Sequence, residues 1–232
     1  MKKMILFTAF AIAGIATQAQ VQFGAHAGVN SASFTNKYPS GSGGQTTTDK
    51  YDSKVGLTVG VVAEIPIASS LFFRPELNYI QKGGKLKQTE TFFGTTITYD
   101  GTVTTNYLEI PLNVLYKFGT GGGNVFVGAG PSIGYGLSGK SKFKTTSGST
   151  TTEDNANIKF DGKANATDPD VHYKALDFGA NFLAGYQFSN NIVLKASYTI
   201  GLSNINPEDK STTKNKGFGF TIGYMFGGSS AE

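Results

Sequence analysis

Beyond residue 20 the chain alternates apolar and polar side chains almost to its end, a period of two that marks half-buried strands and not helices. Eight runs carry the pattern. Residues 21–30 place Val21, Phe23, Ala25, Ala27 and Val29 on one face, with Gln22, Gly24, His26, Gly28 and Asn30 opposite. The same rule groups Val55, Leu57, Val59, Val61 and Ala63 in residues 55–64, and Leu71, Phe73, Pro75, Leu77 and Tyr79 in 71–80. Residues 107–117 align Leu108, Ile110, Leu112, Val114 and Tyr116. Residues 124–137 set Val125 through Leu137 against a nearly pure Gly/Ser face, and 175–187, 192–200 and 217–226 repeat the alternation.

Each run is about ten residues, the length a tilted strand needs to cross a hydrocarbon layer. The connections alternate in length. Residues 31–54, 81–106, 138–174 and 202–216 are long, whereas 65–70, 118–123 and 188–191 are short. Sorting of loops to two ends predicts an all-β, eight-stranded, antiparallel up-and-down transmembrane barrel, with turns on one side and surface loops on the other. The Thr-rich stretches 46–48, 95–99 and 145–152 fall in the long connections, as strand extensions or irregular loop. Pro75, Pro111 and Pro131 lie inside the runs, where a missing N–H interrupts the ladder and a bulge or strand end is expected.

Charge follows the same division. Glu64, Arg74, Glu76, Glu109, Lys117, Asp177 and Lys195 are the charged residues within the runs, and all seven fall opposite the apolar set. A midplane Arg or Lys facing lipid costs roughly 2–4 kcal/mol in such a barrel. The seven are expected to form an interior charge network, with Arg74 as its hub because its fork can hold two carboxylates, and Glu109 as a partner. Eight strands leave an interior just wide enough for side chains to fill, so the lumen is expected to be plugged. A soluble lipocalin-like barrel would reverse the polarity, with its apolar set inside around a ligand.

The N-terminus reads differently. Lys2 and Lys3 precede an apolar stretch from Met4 to Ile15, and Thr17-Gln18-Ala19 supplies small residues at a cleavage position. Residues 1–20 are therefore expected to be a signal peptide cleaved near Ala19/Gln20, leaving a barrel domain over 21–226 and a short tail, 227–232. Removing the two lysines from a total of 20 basic against 16 acidic residues leaves 18 against 16, a net charge of +2. That is too weak for nucleic acid. The 31 glycines among 232 residues, about 13%, are nearly twice the usual level of about 7%. Absent cysteine excludes disulfides, thiolate chemistry and Cys-based metal sites.

Three stretches carry a family likeness: RPELNYIQKG at 74–83, NYLEIPLNVLYKF at 106–118 and VFVGAGPSIGYGL at 125–137. With the opening FGAHAGVN and the closing GFGFTIGYMF, they resemble the outer-membrane β-barrel domain family of Bacteroidetes, which includes PorT-like proteins. The resemblance covers the whole chain after residue 20 and implies an eight-stranded barrel in the outer membrane, with the PorT-like branch associated with protein secretion. Such barrels commonly end on an aromatic residue, whereas here Phe226 is followed by GGSSAE.

Motifs for chemistry are sparse. No Walker A, HExxH, GxSxG or EF-hand pattern occurs, and GTGGGN at 119–124 reads as a turn. Asp168, Asp170 and His172 alternate in the fifth connection, as a candidate divalent-ion site or the acid–base half of a hydrolase, or as ordinary polar loop. His26 reads as a hydrogen-bonded interior residue. No catalytic, cofactor or metal residues are expected. The function expected is non-enzymatic, through surface interaction, envelope structure or secretion. It would use outer-membrane lipid and, through the four long connections, other envelope proteins, with the chain a monomer. A small-solute channel, and then a barrel hydrolase, are the alternatives.

Overall fold

The computed structural model describes residues 21–40, 45–164 and 167–226. The expected signal peptide, 1–20, and tail, 227–232, lie outside them. Among the described residues eleven strands occur in order: β1 (Gln22–Ser40), β2 (Gln45–Lys50), β3 (Asp52–Ala68), β4 (Leu71–Phe92), β5 (Thr95–Thr120), β6 (Gly123–Ser147), β7 (Thr150–Lys159), β8 (Val171–His172), β9 (Leu176–Phe188), β10 (Ile192–Gly201) and β11 (Thr212–Phe226). Eight of them form a ring of antiparallel neighbours, β1–β3–β4–β5–β6–β9–β10–β11, which β1 and β11 close through the run Phe23↔Phe226 to Lys37↔Thr212. This is the eight-stranded up-and-down barrel that the alternation predicts.

The apolar faces point outward. Val55, Leu57, Val59 and Val61 are each more than half exposed, and Phe218, Phe220, Ile222, Tyr224 and Phe226 are 46–56% exposed. A soluble lipocalin-like arrangement is thereby reversed: the outer wall is apolar and the lumen polar. Aromatic pairs gather at the rim that carries the short turns, Tyr116–Phe118 at 4.6 Å, Tyr186–Phe188 at 4.7 Å and Tyr224–Phe226 at 5.7 Å between ring centroids. Tyr79, Tyr135, Phe178, Tyr198 and Phe218 mark the opposite edge. From Phe118 to Leu108 is about 33 Å of strand, or about 25 Å of height at a tilt near 40°, which fits the apolar band of an outer-membrane barrel.

The long connections are mostly strand. The β4–β5 hairpin runs on past the band to a tip at Phe93-Gly94, both with positive φ (47° and 83°). β6 extends to Ser147 and returns as β7, while β1 extends to Ser40 and pairs with β2. Of the expected loops 31–54, 81–106, 138–174 and 202–216, the described parts of the first, all but the tip of the second and about half of the third are therefore ladder. Threonine suits such a two-faced exposed sheet, which is why the Thr-rich stretches become strand.

The prolines are absorbed without the bulges or strand ends that the sequence suggests. Pairing between β4 and β5 lapses between Pro75↔Leu112 and Asn78↔Glu109, and between β5 and β6 between Pro111↔Ser132 and Val114↔Ala129. The register is unchanged across both gaps. Each proline thus removes ladder bonds locally and leaves every side chain on its face.

The inward face is less uniformly polar than the sequence suggests. Val62, Leu115, Phe126, Leu183, Val193 and Met225 form a buried cluster, with Phe72 against it. Phe126 was masked by its apolar neighbours Val125 and Val127, which hide its parity. A Cβ on Gly185 would meet the Phe126 ring and the Leu194 carbonyl, so that position is confined to glycine by the ring opposite it. Gly185→Val is expected to abolish the folded band that resists SDS until boiled, whereas Gly121→Val, in an open turn with nothing near, should keep it. Gel migration of heated and unheated samples checks both.

Candidate functional site

Eight charged side chains meet inside the ring and stack along its axis. At the turn end Glu64 (β3) is paired with Lys117 (β5) and lies 3.5 Å from Arg74 (β4). Lys117 also donates to Gln187 Oε1 at 2.7 Å and sits over the Phe72 ring. In the middle Arg74 Nε is 3.2 Å from Glu76 Oε1, as an ion pair without an aligned hydrogen bond, and the guanidinium lies 5.3 Å from the Phe126 ring centroid. Lys195 (β10) holds Glu76 from the far wall at 2.5 Å. His26 Nε2 hydrogen-bonds to Asn78 Oδ1 at 2.9 Å, the buried polar role the sequence suggests.

The third layer depends on a residue the sequence reading missed. Lys82 (β4) reaches Glu109 (β5) at 2.5 Å and Asp177 (β9) at 3.6 Å, over the Tyr107 ring. Asn215 Nδ2 and Ser203 Oγ donate to the Asp177 carboxylate at 2.9 and 3.1 Å. Lys82 continues the inward series Arg74, Glu76, Asn78, Ile80, so parity would have found it had the strand not been ended at residue 80. Its inclusion balances the lumen: Arg74, Lys82, Lys117 and Lys195 against Glu64, Glu76, Glu109 and Asp177.

Arg74 does hold two carboxylates, but they are Glu64 and Glu76, and Glu109 is not among them. Register gives the reason. Arg74 faces Asn113 across β4–β5, whereas Glu109 is opposite Asn78, about 13 Å farther along the strand.

Above the charges the lumen is capped. Phe34, Val103 and Ile158 are buried together, with Tyr51, Phe160, Val171 and Tyr173 packed on them. Phe160 stands edge-on to Tyr107 at 5.2 Å, its ring over Gly136, where a Cβ would collide. Between the apolar clusters lie cavities of about 10 and 30 Å³, room for about one and about two waters.

Over the cap the connection after β7 folds on itself. Lys159 Nζ lies 2.8 Å from Asp168 and 3.0 Å from Asp170, and His172 is 2.8 Å from Asp161 and 3.3 Å from Asp168. Asp168 and Asp170 are thus gathered as the sequence suggests, but around an ammonium, which takes the place a divalent ion would need. Among the described residues no group of metal-binding side chains is assembled. The Lys159 hydrogen bond holds the Asp168 carboxyl at about 2 and lowers Asp170, while the His172 hydrogen bond lowers Asp161. A larger, open cavity of about 510 Å³ borders this cluster, lined among others by Tyr38, Asn206, Glu208 and His172.

A family model described as outer membrane protein beta-barrel domain matches residues 16–206. Solved structures of similar fold include the attachment invasion locus protein of Yersinia pestis, 14% identical over 88% of this chain and 98% of that one, with a TM-score of 0.37. Neisserial surface protein A is also 14% identical, covering 88% of this chain and 97% of its own, with a TM-score of 0.38. The outer membrane protease OmpT from Escherichia coli is 9% identical over 89% and 96%, with a TM-score of 0.36. No curated protein matches the chain.

Two outcomes follow from the charges. Lys82→Met strands Glu109 beside Asp177, a loss of about 3–5 kcal/mol for an uncompensated buried charge, and should lower the unfolding temperature. Glu109→Gln should partly restore that variant and leave Arg74→Ala unrescued, which thermal melts in micelles can compare. In the cap, carboxyls with lowered folded-state values stabilise the native form above about pH 4, their unfolded range, and lose that contribution as pH falls toward about 2. The Asn157 and Asp170 amides, which donate to Asp170 Oδ1 and Asp168 Oδ1, should then shift in NMR spectra between pH 4 and 2. Constant shifts would show the cluster to be inconsequential.

Proposed function

Because the chain belongs to the outer membrane protein beta-barrel domain family, we propose that it works in the outer membrane as a closed, non-enzymatic scaffold that presents a raised β-sheet to other envelope proteins. The proposal includes export through residues 1–20, with cleavage near Ala19/Gln20. It also includes the narrower likeness to PorT-like barrels of Bacteroidetes, which points the contacts toward secretion machinery.

The observation that carries this reading is the continuation of β4, β5, β6 and β7 beyond the apolar band as one paired sheet. β4 runs about 40 Å past Ile80 before its turn. Residues 86–92 of β4 pair only with β5, and 150–156 of β7 pair only with β6. Both edges therefore offer free backbone N–H and C=O groups, the chemistry by which an extended segment of a partner adds a strand. Phe93 stands fully exposed at the hairpin tip, 106% by relative area, on a left-handed backbone unusual for a bulky residue. An aromatic side chain held there suits an anchor for a partner.

The packed lumen speaks against a solute channel, since the cavities between its apolar clusters measure about 10 and 30 Å³. Planar-bilayer recordings of the wild type should accordingly show no conductance. In the decisive comparison, removing residues 87–100 should leave the heat-modifiable barrel intact while losing the envelope proteins that the full chain recovers from outer-membrane extract. Equal recovery by both would sink the reading. Lipid or peptide cleavage lost on His172→Ala would replace it with a hydrolase.

A further inference from the structure

Strand parity sorts the lysines above the apolar band as strictly as it sorts the charges within it. On β1 the outward positions run Val29, Ser31, Ser33, Thr35 and Lys37, and on β11 they run Phe218, Lys216, Lys214 and Thr212. β2 sets Lys50 beside Thr35 and Thr48 beside Lys37. Lys37, Lys50, Lys214 and Lys216 thus share one outward face, and all four are exposed. Lys214 and Lys50 flank Thr35 from either side, about 10 Å apart at the Cα atoms, and Lys216 and Lys37 each stand one pleat away.

Two features distinguish this cluster from scattered surface charge. First, the residues between its lysines are hydroxyl-bearing: Thr35, Thr48 and Thr212, with Ser33 buried beside Lys216. No carboxylate intervenes, and among the described residues none of the four lysines has an ion-pair partner. Farther round the barrel Lys85, Lys87, Lys140, Lys142 and Lys144 also face outward, but Asp100 and Glu153 are set among them in register, and Asp52, two residues from Lys50, faces Lys85. Second, the cluster begins where the apolar wall ends. Lys216 is directly opposite Ile200, and the next outward residue below it is Phe218. From Lys216 to the level of Lys37 is about 13 Å of strand, or about 10 Å of height, which is head-group depth. The turns at the other rim, 69–70, 121–122 and 189–191, carry no charge.

We propose that Lys37, Lys50, Lys214 and Lys216 bind the phosphate groups of an anionic lipid packed against the β11–β1–β2 wall. The acyl chains lie along Phe218, Phe220, Val29 and Ile200, the phosphates sit between ammoniums that repel one another and have no carboxylate partner, and the hydroxyls supply further donors. The inference rests on the membrane reading above. It adds a lipid class and a location to it.

The test uses the full chain folded in non-ionic micelles, with a bisphosphorylated glycolipid (lipid A) as probe, its dephosphorylated form as control, and native mass spectrometry as readout. The wild type should retain the phosphorylated lipid about 600-fold better than the control, since each of the four lysines contributes about a factor of five near an anionic surface. The variant K37Q/K50Q/K214Q/K216Q should lose about that factor. K85Q/K140Q/K142Q, on the side where acids already offset the charge, should lose much less. Equal retention by the quadruple variant, equal retention of the dephosphorylated lipid, or complete displacement by millimolar inorganic phosphate would each overturn the proposal. Heat-modifiable migration separates these outcomes from failure of the barrel itself: a variant that keeps its shifted band is folded, and its binding result counts. If the quadruple variant loses the band, K214Q/K216Q provides the same comparison with two substitutions.

Discussion

Closure of the sheet is the constraint on which everything else in this protein rests. In hydrocarbon no water is available to an unpaired N–H or C=O, and each such group costs several kcal/mol, so a sheet that crosses a membrane cannot keep an edge. Here β11 returns to β1 in unbroken register over Phe23↔Phe226 to Lys37↔Thr212. Because the ring is closed, inside and outside are fixed for every residue, and alternate side chains go to lipid or to the lumen. The prolines show how strong this is. Pro75, Pro111 and Pro131 each delete ladder bonds, yet the register resumes on the far side of both gaps without a slip. A one-residue slip would send Arg74 and Glu76 to the lipid face.

Closure also explains the lumen. A ring of eight strands encloses too little space for water to solvate four carboxylates and four cations separately, so they must solvate one another. They do so across the barrel and not merely along it, with Lys195 reaching Glu76, and Lys82 reaching both Glu109 and Asp177. Small residues make this possible. Gly185 admits the Phe126 ring, which in turn lies under the Arg74 guanidinium. The apolar clusters above and below bracket the charges, leaving a rigid plug from which the sheet above the membrane is raised.

Above the band the same alternation serves different chemistry. Outward positions that would be Leu or Phe in hydrocarbon become Lys and Thr, and the strands keep pairing after the ring has opened into free edges. The outward lysine cluster and the unpaired sheet edges are thus two features of strands that began as transmembrane elements.

The sequence by itself determined which face of each strand is apolar, how many strands cross, and which end carries the long connections, because these follow from a local period of two and from connection length. It also determined that the seven charged residues from Glu64 to Lys195 face inward. What it left undecided were the partners. Strand adjacency pairs Arg74 with Glu109, but the vertical offset of β4 against β5 places Asn113 opposite Arg74 and gives Glu109 to Lys82. Lys82 itself was hidden because the end of the apolar band looked like the end of the strand, when only the solvent had changed. Likewise Asp168 and Asp170 suggested a metal site until the return of β7 brought Lys159 between them. Periodicity is a property of neighbouring residues in the chain. Pairing depends on stagger around a closed ring, and only the tertiary structure sets that.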